Sequence, residues 1–144
     1  MNANPVADII RSADGFMIIS GEYNHSIPAA LKNAIDWASR PLATNPLRNK
    51  PVAVVGASRT RGTIGAEIFH NLLATTLNGP VYPVNPTAEV VQSVPAYKTV
   101  EAIPGPVDLA IIVVPAEKVI EAAAACGRKG VKALVVISMG FSET

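Results

Sequence analysis

Residues 51–65, Pro-Val-Ala-Val-Val-Gly-Ala-Ser-Arg-Thr-Arg-Gly-Thr-Ile-Gly, constrain the fold of this chain more than any other stretch. The consecutive apolar residues Val52–Val55 predict a strand buried on both faces. The strand breaks into a loop carrying Gly56, Gly62 and Gly65, after which Ile64, Ile68, Leu72 and Leu73 recur at helical spacing. A strand, a glycine-rich loop and a helix start, in that order, are how α/β folds hold a phosphate. Glycine lets the backbone approach the anion, and the helix N-terminus offers unpaired N–H groups and partial positive charge. The same glycines also suit a sharp turn with no ligand. The candidate binding residues here are Gly56, Ala57, Ser58, Arg59, Arg61, Gly62, Ile64 and Gly65. Arg59 and Arg61 have the right charge for phosphate, although exposed loop arginines need no ligand. The spacing is not Gly-x-Gly-x-x-Gly. The next strand ends in Asn85, where an NAD site uses Asp or Glu for the ribose hydroxyls, so NAD is disfavoured.

The rest of the chain alternates strand and helix patterns. Residues 5–13 predict a short helix, residues 16–20 a buried strand, and residues 27–39 an amphipathic helix with Leu31, Ala34, Ile35 and Ala38 on one face. Residues 40–50 contain Pro41 and Pro46 and predict a connecting loop. Residues 64–73 predict the helix after the glycine loop, and Val81–Val84 a strand. Residues 88–103, interrupted by Pro95, predict short irregular pieces with a helical turn near Val100. Residues 109–114 predict the most apolar strand, residues 116–128 a helix stopped by Gly130, and residues 131–137 the last strand. The expected class is α/β: a mainly parallel sheet of about five strands, Rossmann-like or flavodoxin-like, with helices on both faces. All 144 residues are expected to form one domain.

Composition removes several function classes. A net charge of +1, spread without basic blocks, gives no reason to expect nucleic acid. The longest apolar runs are too short to cross a bilayer. The lone Cys126 excludes an internal disulfide and fits a reducing compartment. No secretory signal is expected at residues 1–14, and a soluble cytoplasmic chain is the expectation. His25 and His70 have no metal-ligand spacing, and no metal site is expected. No Ser/His/Asp arrangement is recognisable, so no catalytic residue is assigned.

From about residue 50 onward, five motifs occur in order: Val-Ala-Val-Val-Gly-Ala-Ser (52–58), Gly-Thr-Ile-Gly (62–65), Val-Tyr-Pro-Val-Asn-Pro (81–86), Val-Asp-Leu-Ala-Ile-Ile-Val-Val-Pro-Ala (107–116) and the segment 130–143. This stretch resembles the CoA-binding domain of NDP-forming acyl-CoA synthetases. The resemblance implies CoA at the glycine loop, with Val84, Asn85 and Pro86 near the adenosine and Val114 and Pro115 along the pantetheine. Pro86 and Pro115 equally suit strand termination. Residues 13–57, with Glu-Tyr-Asn-His-Ser-Ile-Pro (22–28) and Leu-Lys-Asn-Ala-Ile-Asp-Trp-Ala-Ser-Arg-Pro (31–41), resemble NADPH-dependent FMN reductases, which have a flavodoxin-like fold. This second resemblance implies FMN, with Glu22, Tyr23 and Asn24 near the flavin ring; a solvated loop explains them equally. The two resemblances share residues 50–58, the pattern of a chimera joined at a common strand and turn. Neither family's complete catalytic apparatus is expected.

The union poses a topological conflict. The flavodoxin-like resemblance implies residues 16–20 beside Val52–Val55. The CoA-binding resemblance gives the two sides of Val52–Val55 to Val81–Val84 and residues 109–114. Right-handed crossovers do not allow all three. Either residues 16–20 move to an edge, or they pack on a second chain. The expected partners are a nucleotide ligand and a second copy in a homodimer, formed by exchange of the N-terminal segment in one form.

Overall fold

The computed structural model describes residues 16–21, 49–74 and 78–138. The expected helices at 5–13 and 27–39, and residues 22–24, lie outside these. The elements are β1 (Phe16–Gly21), β2 (Val52–Val55), α1 (Ile64–Ala74), β3 (Val81–Val84), β4 (Val90–Val91), β5 (Val94–Pro95), a 3₁₀ turn (Val100–Ala102), β6 (Leu109–Ile112), α2 (Ala116–Lys129) and β7 (Ala133–Ser138). Strands β3, β2, β6 and β7 form a parallel sheet in that order, and β1 runs parallel along the outer edge of β7. The α/β class read from the sequence holds.

The conflict over β2 is resolved in favour of the CoA-type neighbours. Val52 pairs with Val81 on one side and with Leu109 on the other. β1 is displaced outward, with Phe16 opposite Ala133. Pro83 within β3 fits this order, because β3 ends the sheet and a strand there does not need every N–H.

Alternate residues of β2 serve opposite faces, which is why its run is continuously apolar. On one side Val52 and Val54 pack beneath α1, with Ile64, Ile68, Phe69 and Leu72. On the other, Ala53 lies with Ala110, Ile112 and Val136 against Val119, Ala122, Ala123 and Cys126 of α2. Each large apolar side chain taken out of water contributes about 1.5–3 kcal/mol. The last turn of α2 is tied to the 3₁₀ turn by Arg128, 2.9 Å from the Glu101 carboxylate, and by Lys129, which donates to the Ile103 carbonyl.

Several boundaries differ from the sequence expectation by one or two residues. β6 stops at Ile112 instead of residue 114. Val113 still donates to the Val55 carbonyl at 2.7 Å, but Pro115 then opens α2 and the Val114 carbonyl accepts from the Ser138 hydroxyl. α2 runs to Lys129 and β7 starts at Ala133, because left-handed Gly130 closes the helix and the Val131 N–H returns to the Cys126 carbonyl. Within residues 88–103, β4 and β5 form an antiparallel hairpin. Its turn places Gln92 and Ser93 at φ 48° and 68°, the geometry that usually recruits Asn-Gly.

Cys126 is fully buried, and desolvation pushes its thiol up to about 11. The neutral thiol is inert in this setting. Its pKa is raised on folding from an ordinary value of 9.0, so its stabilising effect is complete below that value and is lost as pH rises toward 11. Denaturant unfolding across that window should show the wild type losing about 2 kcal/mol relative to Cys126→Ala.

Candidate functional site

Because β2, β3 and β6 run parallel, residues 56–58, 85–86 and 113–115 all emerge at one edge of the sheet. The chain passes from β2 to β3 on one side and then returns to β6 on the other. That reversal, at the carboxyl ends of β2 and β6, is the position at which open α/β sheets bind ligands.

The close approach of the strand ends requires glycine. Gly56 sits at φ +99°, and a Cβ there would lie 2.0 Å from the Val113 carbonyl oxygen. Its N–H donates to the Val84 carbonyl at 3.0 Å, so one residue joins the ends of all three strands. A Cβ on Gly65 would lie 2.1 Å from the Gly56 carbonyl oxygen. The first turn of α1 is thereby seated directly on the loop.

The loop holds its shape through its own side chains. The Ser58 hydroxyl accepts from the Thr60 N–H at 3.0 Å. The Thr63 hydroxyl donates to the Thr60 carbonyl at 2.7 Å and accepts from the Ala66 N–H at 3.4 Å, capping α1. Gly62 donates to a Glu67 carboxylate oxygen at 3.4 Å. The Ile64 and Gly65 N–H groups have no acceptor among the described residues. These are the donors that an anion at a helix N-terminus takes.

The thirteen residues singled out from the sequence gather at this edge but do different work. Arg59, Arg61, Gly62, Pro86 and Pro115 are exposed, and Gly56, Ser58, Asn85 and Val114 are half-buried. Ala57, Ile64, Gly65 and Val84 are buried. The side chains of Ala57, Ile64 and Val84 belong to the core, which leaves their backbone for a ligand. Asn85 is committed to the scaffold. Its amide donates to the Ala57 carbonyl at 2.8 Å, and its oxygen accepts from the Thr87 N–H, the Thr87 hydroxyl and the Ala88 N–H. It clips the glycine loop to the turn after β3. Sequence reasoning missed Thr63 and Glu67. Their signals were a threonine before the apolar helical pattern and an acid in the first turn. Among the described residues no set of acidic, His or Cys side chains is gathered for a metal, and His70 lies exposed on α1.

Known proteins match the chain in two overlapping parts. The CoA binding domain family matches residues 50–144, and the NADPH-dependent FMN reductase family matches residues 1–89. The alpha subunit of an ADP-forming acetate–CoA ligase II from Pyrococcus furiosus is 53% identical over 93 residues, 65% of this chain and 20% of that protein. An NAD(P)H-dependent FMN reductase from Pseudomonas aeruginosa is 42% identical over 85 residues, 58% of this chain and 44% of that protein. Among solved structures, the dinucleotide-forming acetyl-coenzyme A synthetase 1 of Ca. Korarchaeum cryptofilum, in complex with phosphate and ADP, superimposes with a TM-score of 0.63 at 43% identity. That match covers 66% of this chain and 20% of the synthetase. This sequence thus spans between about a seventh and a fifth of the length of the CoA-ligase relatives it matches. Among the described residues no helix is long and apolar enough to cross a membrane. The chain belongs to the CoA binding domain family over residues 50–144 and to the NADPH-dependent FMN reductase family over residues 1–89.

Proposed function

We propose that this chain is a hybrid α/β domain that binds CoA or a related adenine nucleotide without catalysing a reaction. The observation that carries this reading is the coincidence, at the switch point of the sheet, of the Gly56–Gly65 loop with the start of α1. Loop N–H groups and the Arg59 and Arg61 guanidinium groups receive the phosphates. Pro86 flanks the adenosine, and Val114 and Pro115 flank the pantetheine. Residues 1–50 are the flavodoxin-like segment and residues 51–144 the CoA-type segment of one domain. Joining them preserved the CoA-type neighbours of β2. The hybrid is one of two kinds: a binding protein, or a recombined fold without a physiological ligand.

Gly62→Val tests the site. Gly62 sits at φ +83°, and a Cβ there would meet nothing within 4 Å, so valine strains the loop and fills the room above its donors. CoA affinity should fall more than about tenfold, the loss of roughly 1.4 kcal/mol or more, while unfolding stays cooperative. Unchanged affinity in calorimetric titration overturns the assignment.

The match of residues 1–89 to FMN reductases favours a second reading, an FMN-dependent reductase. A protein purified yellow, with flavin released on denaturation, supports it. In either reading β1, an apolar Phe-Met-Ile-Ile strand at the sheet edge, favours association with a second copy. Light scattering should give the mass of a homodimer; a strictly monomeric species contradicts that expectation.

A further inference from the structure

We propose that Glu67 is a resident anion of the glycine loop, a carboxylate that a ligand phosphate displaces, and that it thereby limits how tightly the loop holds its ligand. The proposal rests on the CoA reading of this site and adds a residue that neither resemblance implied. Glu67 stands in the first turn of α1, exposed, and accepts from the Gly62 N–H at 3.4 Å. That distance is long for a hydrogen bond, so the contact is weak and easily exchanged. The same N–H belongs to the residue whose α-carbon faces open space. A phosphate on the Ile64 and Gly65 N–H groups lies within one turn of the Glu67 carboxylate, and to take the Gly62 N–H as well it must displace that carboxylate.

The charges around the loop make the competition consequential. Arg59 and Arg61 are exposed and form no ion pair among the described residues, with Glu67 or with any other acid. Backbone donation and the helix end are therefore what hold the carboxylate near the loop. In the free chain, a negative charge in this turn favours the helix N-terminus. In the liganded chain, it repels the incoming phosphate. One side chain thus acts with opposite sign on stability and on affinity, a pairing that a purely structural role does not produce.

Glu67→Gln keeps the length of the side chain and an oxygen able to accept from Gly62, and removes the charge. The full chain and this variant are titrated with CoA at one pH and low salt, and melted with and without inorganic pyrophosphate. The expected result is CoA binding about threefold to tenfold tighter in the variant, a larger upward melting shift with pyrophosphate, and a lower melting temperature without ligand. Equal or weaker CoA binding by the variant, when the wild type binds, overturns the role of Glu67 and leaves the CoA reading standing. Absence of CoA binding by the wild type overturns the CoA reading. The pyrophosphate shifts then decide the role of Glu67: a larger shift in the variant supports it, and equal shifts overturn it.

Discussion

Gly56→Ala should lose more than about 3 kcal/mol of folding stability, a large share of the roughly 5–15 kcal/mol available to a domain of this kind. The added carbon would lie 2.0 Å from the Val113 oxygen and 2.8 Å from the Val113 carbonyl carbon, and both are backbone atoms. Neither can rotate away. Relief requires β6 to move from β2, which breaks the 2.7 Å bond from Val113 to Val55 at the centre of the sheet. The φ of +99° adds strain for any residue with a side chain. Urea unfolding checks this, with Gly127→Ala as the control. A Cβ at Gly127 meets nothing within 4 Å, and alanine suits a helix interior, so the control should stay folded with stability unchanged or slightly raised. Similar midpoints for the two variants would contradict the close approach of the strand ends.

Phe69→Ala should cost about 3–5 kcal/mol. Phe69 is fully buried and heads the large buried side chains of the described core. It projects from α1 into a cluster with Val54, Ala57, Ala88 and Val91, so it joins the helix to β2, to the glycine loop and to the β4–β5 hairpin. The Gln92 amide reinforces that packing by donating to the Ala66 carbonyl one turn earlier on α1. Removing the ring leaves a cavity under the first turns of α1, which also present the anion donors. Thermal or denaturant unfolding measures the stability loss. A loss below about 1 kcal/mol would mean that the helix is held by its other contacts instead.

The parts of this molecule legible in the sequence were those with local causes. Continuous apolar runs marked β2, β3 and β6, because strands covered on both faces need no polar alternation. Helical spacing at Ile64, Ile68 and Leu72 marked α1, and Gly130 marked the end of α2. Distant causes were not legible. The partner of the Asn85 amide lies 28 residues earlier, so its role as a clip has no local signature. The turn at Gln92 and Ser93 lacks the usual glycine and is imposed by the packing of Val91 and the hold of Gln92 on α1. The position of β1 depended on which family's neighbours β2 kept, a choice made by the whole sheet. Of the candidate site, the loop and its glycines were legible. The division of Ala57, Ile64 and Val84 between core side chain and available backbone was not, because burial of a side chain depends on what packs over it.

Whether the glycine loop still takes CoA is decided by calorimetric titration of the cooperatively folded chain with CoA, alongside FMN. Saturable CoA binding that Gly62→Val abolishes, with no heat from FMN, is the expected result. Silence toward CoA from a protein that unfolds in one cooperative transition would contradict it, and would mean that the fold forms without a working CoA site.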